Sequence, residues 1–168
     1  MAITKLRLQQ FKCFKEIELD FSKITLLTGA NSSGKSSLLY ALLSTLQSQK
    51  FPFDLSPNGQ YIKMGDFEEM SFHHAKNTDI EIDLAIDNFL KGEWHFNTRW
   101  QAEPNTKMPS LVYSNIKGNF AELTIEKNGT YTLNFKHDNE REDYQNSEAF
   151  KMNNVILNVT GSLLEEFG

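Results

Sequence analysis

The chain opens on a two-residue rhythm. In ITKLRLQQF, Leu6 and Leu8 alternate with Lys5, Arg7 and Gln9, the period of a strand that buries one face. KEIELDF repeats it, with Ile17, Leu19 and Phe21 set against Glu16, Glu18 and Asp20. A hairpin turning near FKCFK is expected. KITLLTG breaks the rhythm: residues 24–27 are nearly continuously apolar, as in a strand covered on both faces inside an α/β sheet. Beyond TGANSSGKSS the period lengthens. Leu38, Leu39, Leu42, Leu43 and Leu46 recur at the spacing of an amphipathic helix of about three turns.

The remainder returns to strand patterns. All four prolines lie in FPFDLSPNG and QAEPNTKMPS, which read as loops. Between them, DIEIDLAID alternates Ile80, Ile82, Leu84 and Ile86 with acids, and EWHFNTRW alternates Trp94, Phe96 and Trp100. AELTIEKNGTYTLNF reads as a hairpin whose Asn128-Gly129 pair suits a type I′ turn. HDNEREDYQNSE (137–148) reads as a charged loop or short helix, and NVILNV as a further strand. In TGSLLEEFG, Ser162 precedes Glu165 by three residues, a capping-box pattern. A helix that opens there and ends after one turn cannot stand alone. The expected organisation is a nucleotide-type strand–loop–helix unit with an N-terminal hairpin over 1–50. An antiparallel β-rich part follows over 51–168, the whole being the N-terminal portion of a longer protein.

Charge sharpens that division. Residues 1–50 carry seven Lys/Arg against three Asp/Glu, and residues 51–168 carry ten against nineteen. The basic part suits an anionic ligand. The acidic part argues against strong duplex-DNA binding by this piece alone, because such binding rests on neutralising phosphates. Cys13 is the only cysteine, so no intramolecular disulfide can form, in keeping with a reducing compartment. The N-terminus lacks a secretory apolar core. No run approaches the ~18 apolar residues of a membrane span. A soluble, cytoplasmic protein is the reading.

The chemistry concentrates in TGANSSGKSS, which contains Gly-x-x-x-x-Gly-Lys-Ser as Gly29, Gly34, Lys35 and Ser36. This is the Walker A pattern. Backbone amides of Asn31, Ser32, Ser33, Gly34, Lys35 and Ser36 must turn inward around an anion, and glycines at the two ends remove the β-carbons that would obstruct the bends. Lys35 brings an ammonium to the phosphate oxygens. Ser36 is the expected Mg²⁺ ligand. The helix that follows points its positive end at the same place.

With these residues in view, LRLQQFKCFKEIELDFSKITLLTGANSSGKSSLLYALL resembles the N-terminal head of ABC-type ATPases of the SMC, RecF and OLD-nuclease group, a branch of AAA-family P-loop ATPases. The match covers about residues 3–46. NGQYIKMGDFEEM (58–70) is similar to a segment that follows the first helix in a defence-associated branch of that group. The resemblance implies an α/β P-loop NTPase fold, here the N-terminal lobe of a head with an antiparallel β-rich subdomain. It implies ATP and Mg²⁺ as cofactors. Lys12 and Cys13 would lie beside the adenine, ribose or α-phosphate, and residues 31–37, Ser37 included, would wrap the phosphates. It also implies a homodimer of ATP-bound heads, and DNA contacts through parts not present here.

The sequence departs from that pattern in what hydrolysis needs. A Walker B strand ends in Asp-Glu, the Asp supporting Mg²⁺ and the Glu orienting water. The nearest stretch, DLAIDN, ends in Asp87-Asn88 and is amphipathic. No LSGGQ-like signature is present, and neither Gln47 nor Gln49 reads clearly as a Q-loop glutamine. Asp66 in MGDF is a candidate for approaching Mg²⁺. No residue is nominated as catalytic. His73-His74, read as strand neighbours, would point to opposite faces and suit no shared metal. Trp94 and Trp100 share parity and read as core or interface residues. The expected function is ATP binding within an ATPase coupled to DNA repair or defence against foreign DNA. Two alternatives stay open: a regulatory head of a nuclease with its catalytic domain elsewhere, and a non-hydrolysing module that dimerises on ATP.

Overall fold

The computed structural model of the chain describes residues 2–88, 92–119, 121–136 and 141–145. The N-terminal alternation folds as expected. β1 (Ala2–Phe11) and β2 (Phe14–Asp20) form an antiparallel hairpin around Lys12 and Cys13. β3 (Ile80–Asn88) pairs with the other edge of β1, and β4 (Gly92–Ala102) pairs with β3. β5 (Pro109–Lys117), β6 (Ala121–Glu126), β7 (Tyr131–Lys136) and β8 (Arg141–Gln145) follow. Among the described residues they make one antiparallel sheet in the order β2-β1-β3-β4-β5-β6-β7-β8.

Register explains why one face of this sheet is core. Leu6 lies opposite Leu84, Leu84 opposite Phe96, Phe96 opposite Ile116 and Ile116 opposite Leu123. A second row runs Leu8, Ile82, Thr98, Ser114, Ile125. Because side chains alternate with period two, all of these project to one side, and all are buried. The covering layer comes from residues 38–70. It includes Leu38 and Ala41 of α1 (Lys35–Gln47), Leu55, Ile62 and Met64 of the following loop, and Phe67 and Met70 of the short α2 (Phe67–Met70). Gln47 fixes that loop. Its Nε2 donates to Ser56 O at 2.6 Å, and its Oε1 accepts from the Tyr61 and Ile62 amides at 3.3 and 3.2 Å.

Several expectations need correction. Residues 24–27 join no strand, and Ile24 and Leu26 are 90% and 82% exposed. The apolar run has the composition of a buried strand, yet the antiparallel sheet supplies it no neighbour. The parallel α/β layer is therefore not formed among the described residues, whereas the antiparallel β-rich part is. α1 forms where the leucine period placed it, but the face it buries is Leu38, Ala41, Ser44 and Thr45, and Leu39 and Leu46 are exposed. A helix apolar on more than one side has more to cover than one sheet face provides.

Strand β5 begins inside the second proline loop, where Ser114 and Asn115 interrupt the apolar rhythm that would mark a strand. β8 occupies part of the stretch read as charged loop or short helix, paired with β7. The Asn-Gly hairpin is present, but only Gly129 has positive φ (80°). The Gly129 amide donates to Glu126 O, and the Glu126 amide to Thr130 O. This is the three-residue loop with a left-handed glycine rather than type I′, which needs positive φ at both central residues. NVILNV and the TGSLLEEFG capping pattern lie outside the described residues.

Candidate nucleotide site

Residues 21–34 run from the end of β2 to the start of α1. The Phe21 amide donates to Thr4 O at 2.8 Å, tying the segment to β1. Phe21 and Leu27 pack against the core, so the outward Ile24 and Leu26 flank an anchored strap. The chain then bends through three positive φ angles, at Gly29 (145°), Ser32 (62°) and Gly34 (92°). Gly34 is required twice over. Its φ is costly for any residue with a β-carbon, and such a carbon would run into the Phe14 ring and sit 3.0 Å from Cys13 Sγ. The loop is thus seated directly on the β1–β2 turn.

Lys35 closes the loop on itself. Its Nζ donates to Gly29 O at 2.9 Å, Ala30 O at 2.6 Å and Ser33 Oγ at 3.2 Å. The Ser33 amide donates to Ala30 O at 3.4 Å. An ammonium therefore sits inside a ring of backbone formed by residues 29–35. α1 begins at the same place, with the Leu38 amide donating to Gly34 O at 3.0 Å. The first amides of a helix have no intrahelical acceptor, and here they add positive potential to that of Lys35. No acidic residue lies in this first turn. Asn31, Ser32, Ser33 and Ser36 are exposed at the rim, and Ser37 is half-buried.

The β1–β2 turn forms one wall. The exposed Cys13 thiol lies 3.5 Å from Ser37 Oγ. Lys12 is half-buried in a left-handed conformation (φ 52°), and its amide donates to Met70 O at 2.7 Å. Burial pushes the Lys12 ammonium below its ordinary pKa, partly opposed by Glu69. A cation held under a desolvation penalty gains most from an anion placed beside it. Phe11 bridges to Ser71 just outside the turn, so α2 and the residues after it buttress the wall.

The structure thus gathers Gly29, Asn31, Ser32, Ser33, Gly34, Lys35, Ser36, Ser37 and Cys13 at one place, with Lys12 beside them. It places Asp66 elsewhere in the chemistry. That carboxylate caps α2, accepting from the Glu69 amide at 3.1 Å. Asp87 stands on antiparallel β3, paired with Ala2 and Glu93. His73 and His74 lie in a 3-10 turn, Phe72–His74, rather than on a strand. Among the described residues no group of three or more His, Cys, Asp or Glu could hold a metal, and no helix is long and apolar enough to cross a membrane. Two contributors carried no signal in the sequence. Phe14 pins Gly34 from below, and the Met70 carbonyl holds the Lys12 turn.

Compared with protein-family models, the chain matches the AAA ATPase domain over residues 1–165. It belongs to the AAA ATPase domain family. A comparison with curated proteins found no match. Membership gives the coarse function as ATP binding, and ATP with Mg²⁺ is what this family generally uses. The residues present fit those two groups: a loop opened by left-handed turns, an ammonium at its centre, a helix N-terminus behind it and an exposed serine hydroxyl in the first helical turn.

Proposed function

We propose that residues 29–37 are a Walker A phosphate loop and that the chain binds Mg²⁺-ATP there. The observation that carries the reading is the position of the Lys35 ammonium, bonded to the Gly29 and Ala30 carbonyls and to Ser33 Oγ inside the loop. A polyphosphate would meet this cation together with the amides of residues 31–36. Ser36 is the Mg²⁺ ligand in this reading. Bound there, the metal would neutralise phosphate charge. The chain's own residues bind and orient: the loop fixes the phosphates, Phe14 and Cys13 hold Gly34 in place, and Lys12 adds a second cation at the wall.

The resemblance of residues 3–46 to ABC-type heads of the SMC, RecF and OLD group supports a finer reading. The chain would be the N-terminal lobe of such a head, assembling as an ATP-bound homodimer and coupled to DNA repair or defence. Hydrolysis is not assigned to residues 1–168. Asp66 is committed to a helix cap and Asp87 to an antiparallel strand, so neither is positioned as a Walker B acid, and turnover depends on such placed groups.

The test is calorimetric titration of the 168-residue protein with ATP and Mg²⁺, beside Lys35→Ala and Gly34→Val. Saturable binding in the wild type, weakened about a hundredfold or more in both variants, is the predicted outcome. Unchanged affinity in Lys35→Ala would overturn the assignment.

A further inference from the structure

Among the described residues, six non-glycine positions have left-handed backbone, and five of them lie in the 29–37 loop, in or beside the β1–β2 turn, or just after the segment that pairs with that turn. Gln10 and Lys12 (φ 56° and 52°) lie in or beside the β1–β2 turn, and Ser32 (62°) lies in the loop itself. His73 (52°) and His74 (56°) follow Ser71, which bridges to Phe11. Each such residue costs free energy and persists where the surroundings impose it. Two in succession, on the surface, reverse the chain sharply. The His74 amide donates to Ser71 O and the Ala75 amide to Phe72 O, both at 3.2 Å. The reversal leaves both imidazoles exposed. Neither has a hydrogen bond or ion pair among the described residues. The Phe72 ring is half-buried and meets His73 edge-on, with centroids 4.0 Å apart at 74°.

Contiguity links this turn to the loop. Ser37 and Gly34 touch Cys13, Lys12 bonds Met70, and Phe11 pairs with Ser71. The Phe72–His74 turn therefore follows directly on the two residues, Met70 and Ser71, that pair with the β1–β2 turn. A triphosphate seated in the loop must place its base and sugar outside the loop, against whatever lines that wall. Flat rings with a single N–H and a single lone pair suit stacking and hydrogen bonding to a nucleoside. The phosphate charge is already met by Lys35 and backbone amides.

We propose that the Phe72–His74 turn is the nucleoside-binding wall of this site, with the His73 and His74 rings contacting the base and sugar of the bound nucleotide. The proposal rests on the reading of residues 29–37 as a phosphate loop, and two probes separate the two claims. The wild type and His73→Ala/His74→Ala are titrated with ATP and with inorganic tripolyphosphate, each with Mg²⁺. The double variant is predicted to lose about tenfold in ATP affinity and to keep its tripolyphosphate affinity, which also shows that it is folded. Equal ATP affinity in variant and wild type overturns the proposal while leaving the phosphate loop standing. Failure of the wild type to bind either probe overturns the parent reading. Imidazole ring signals of the wild type give a second measurement, independent of the variant's folding. They are predicted to shift with ATP and not with tripolyphosphate, and signals of His73 and His74 indifferent to ATP would contradict the proposal.

Discussion

Arg7 stands on the outer face of β1 between two acidic strands. It donates to Glu16 through Nε and Nη2 at 3.1 and 2.9 Å, and through Nη1 to Asp83 at 3.0 Å and Glu81 at 3.4 Å. Hydrogen bonds to Glu16 first and Asp83 second hold the guanidinium above its ordinary pKa. Burial lifts the Asp83 carboxyl above its usual value, and the bond from Arg7 opposes that only in part. Arg7→Ala would leave Asp83 and Glu81 without this cation. A carboxyl whose folded pKa exceeds its unfolded value carries a penalty that is full above the folded pKa and absent below the unfolded one. Arg7→Ala is therefore predicted to destabilise by about 1–3 kcal/mol at pH 7 and by clearly less near pH 4. Urea unfolding at the two pH values measures it, and an equal or larger loss in acid would contradict the assignment.

At the scale of elements, the inner face of the sheet contains one polar pair that separates a useful hydroxyl from an idle one. Thr98 Oγ1 donates to Ile82 O at 2.6 Å and accepts from Trp100 Nε1 at 2.9 Å, all buried. The neighbouring Ser114 Oγ is buried with no hydrogen-bond partner among the described residues. Thr98→Val is predicted to cost about 1–3 kcal/mol because it orphans a buried indole N–H, while Ser114→Ala should be neutral or stabilising. Thermal unfolding of the two variants checks the order, and the reverse order would sink it. The same residues show what the sequence could and could not disclose. β1, β2, β3 and β4 were legible because each keeps strict alternation against charged neighbours, so only one face can be buried. β5 was not, because Ser114 occupies an inward position and erases the contrast between faces. Residues 24–27 misled for the opposite reason: a continuous apolar run states that cover is needed but not which element supplies it. At 29–37 the sequence marked a tight loop, and the backbone does turn left-handed at Gly29, Ser32 and Gly34, since glycines answer to local geometry. The support of the β1–β2 turn, Phe11 paired with Ser71 and Lys12 with Met70, joins residues some sixty apart and left no local mark.

Across the described residues, the sheet keeps its apolar side chains on one buried face, with Thr98 and Ser114 among them, but the strap and α1 leave apolar side chains outside. Ile24, Leu26, Leu39 and Leu46 are all exposed. Exposed apolar side chains contribute little to folding and much to self-association. Leu26→Asp is accordingly predicted to change unfolding free energy by no more than ~0.5 kcal/mol while lowering the binding of an apolar dye. A loss of several kcal/mol would show that Leu26 is buried. The loop at 29–37 lies between this strap and α1, so nucleotide binding there, as proposed, should order a region that the sheet itself leaves outside its core. Hydrogen exchange with and without Mg²⁺-ATP reads that most directly. The account predicts slowed exchange at residues 29–37, the β1–β2 turn and the Phe72–His74 turn, with β4, β5 and β6 unchanged. Exchange at residues 29–37 that is indifferent to saturating nucleotide would contradict it.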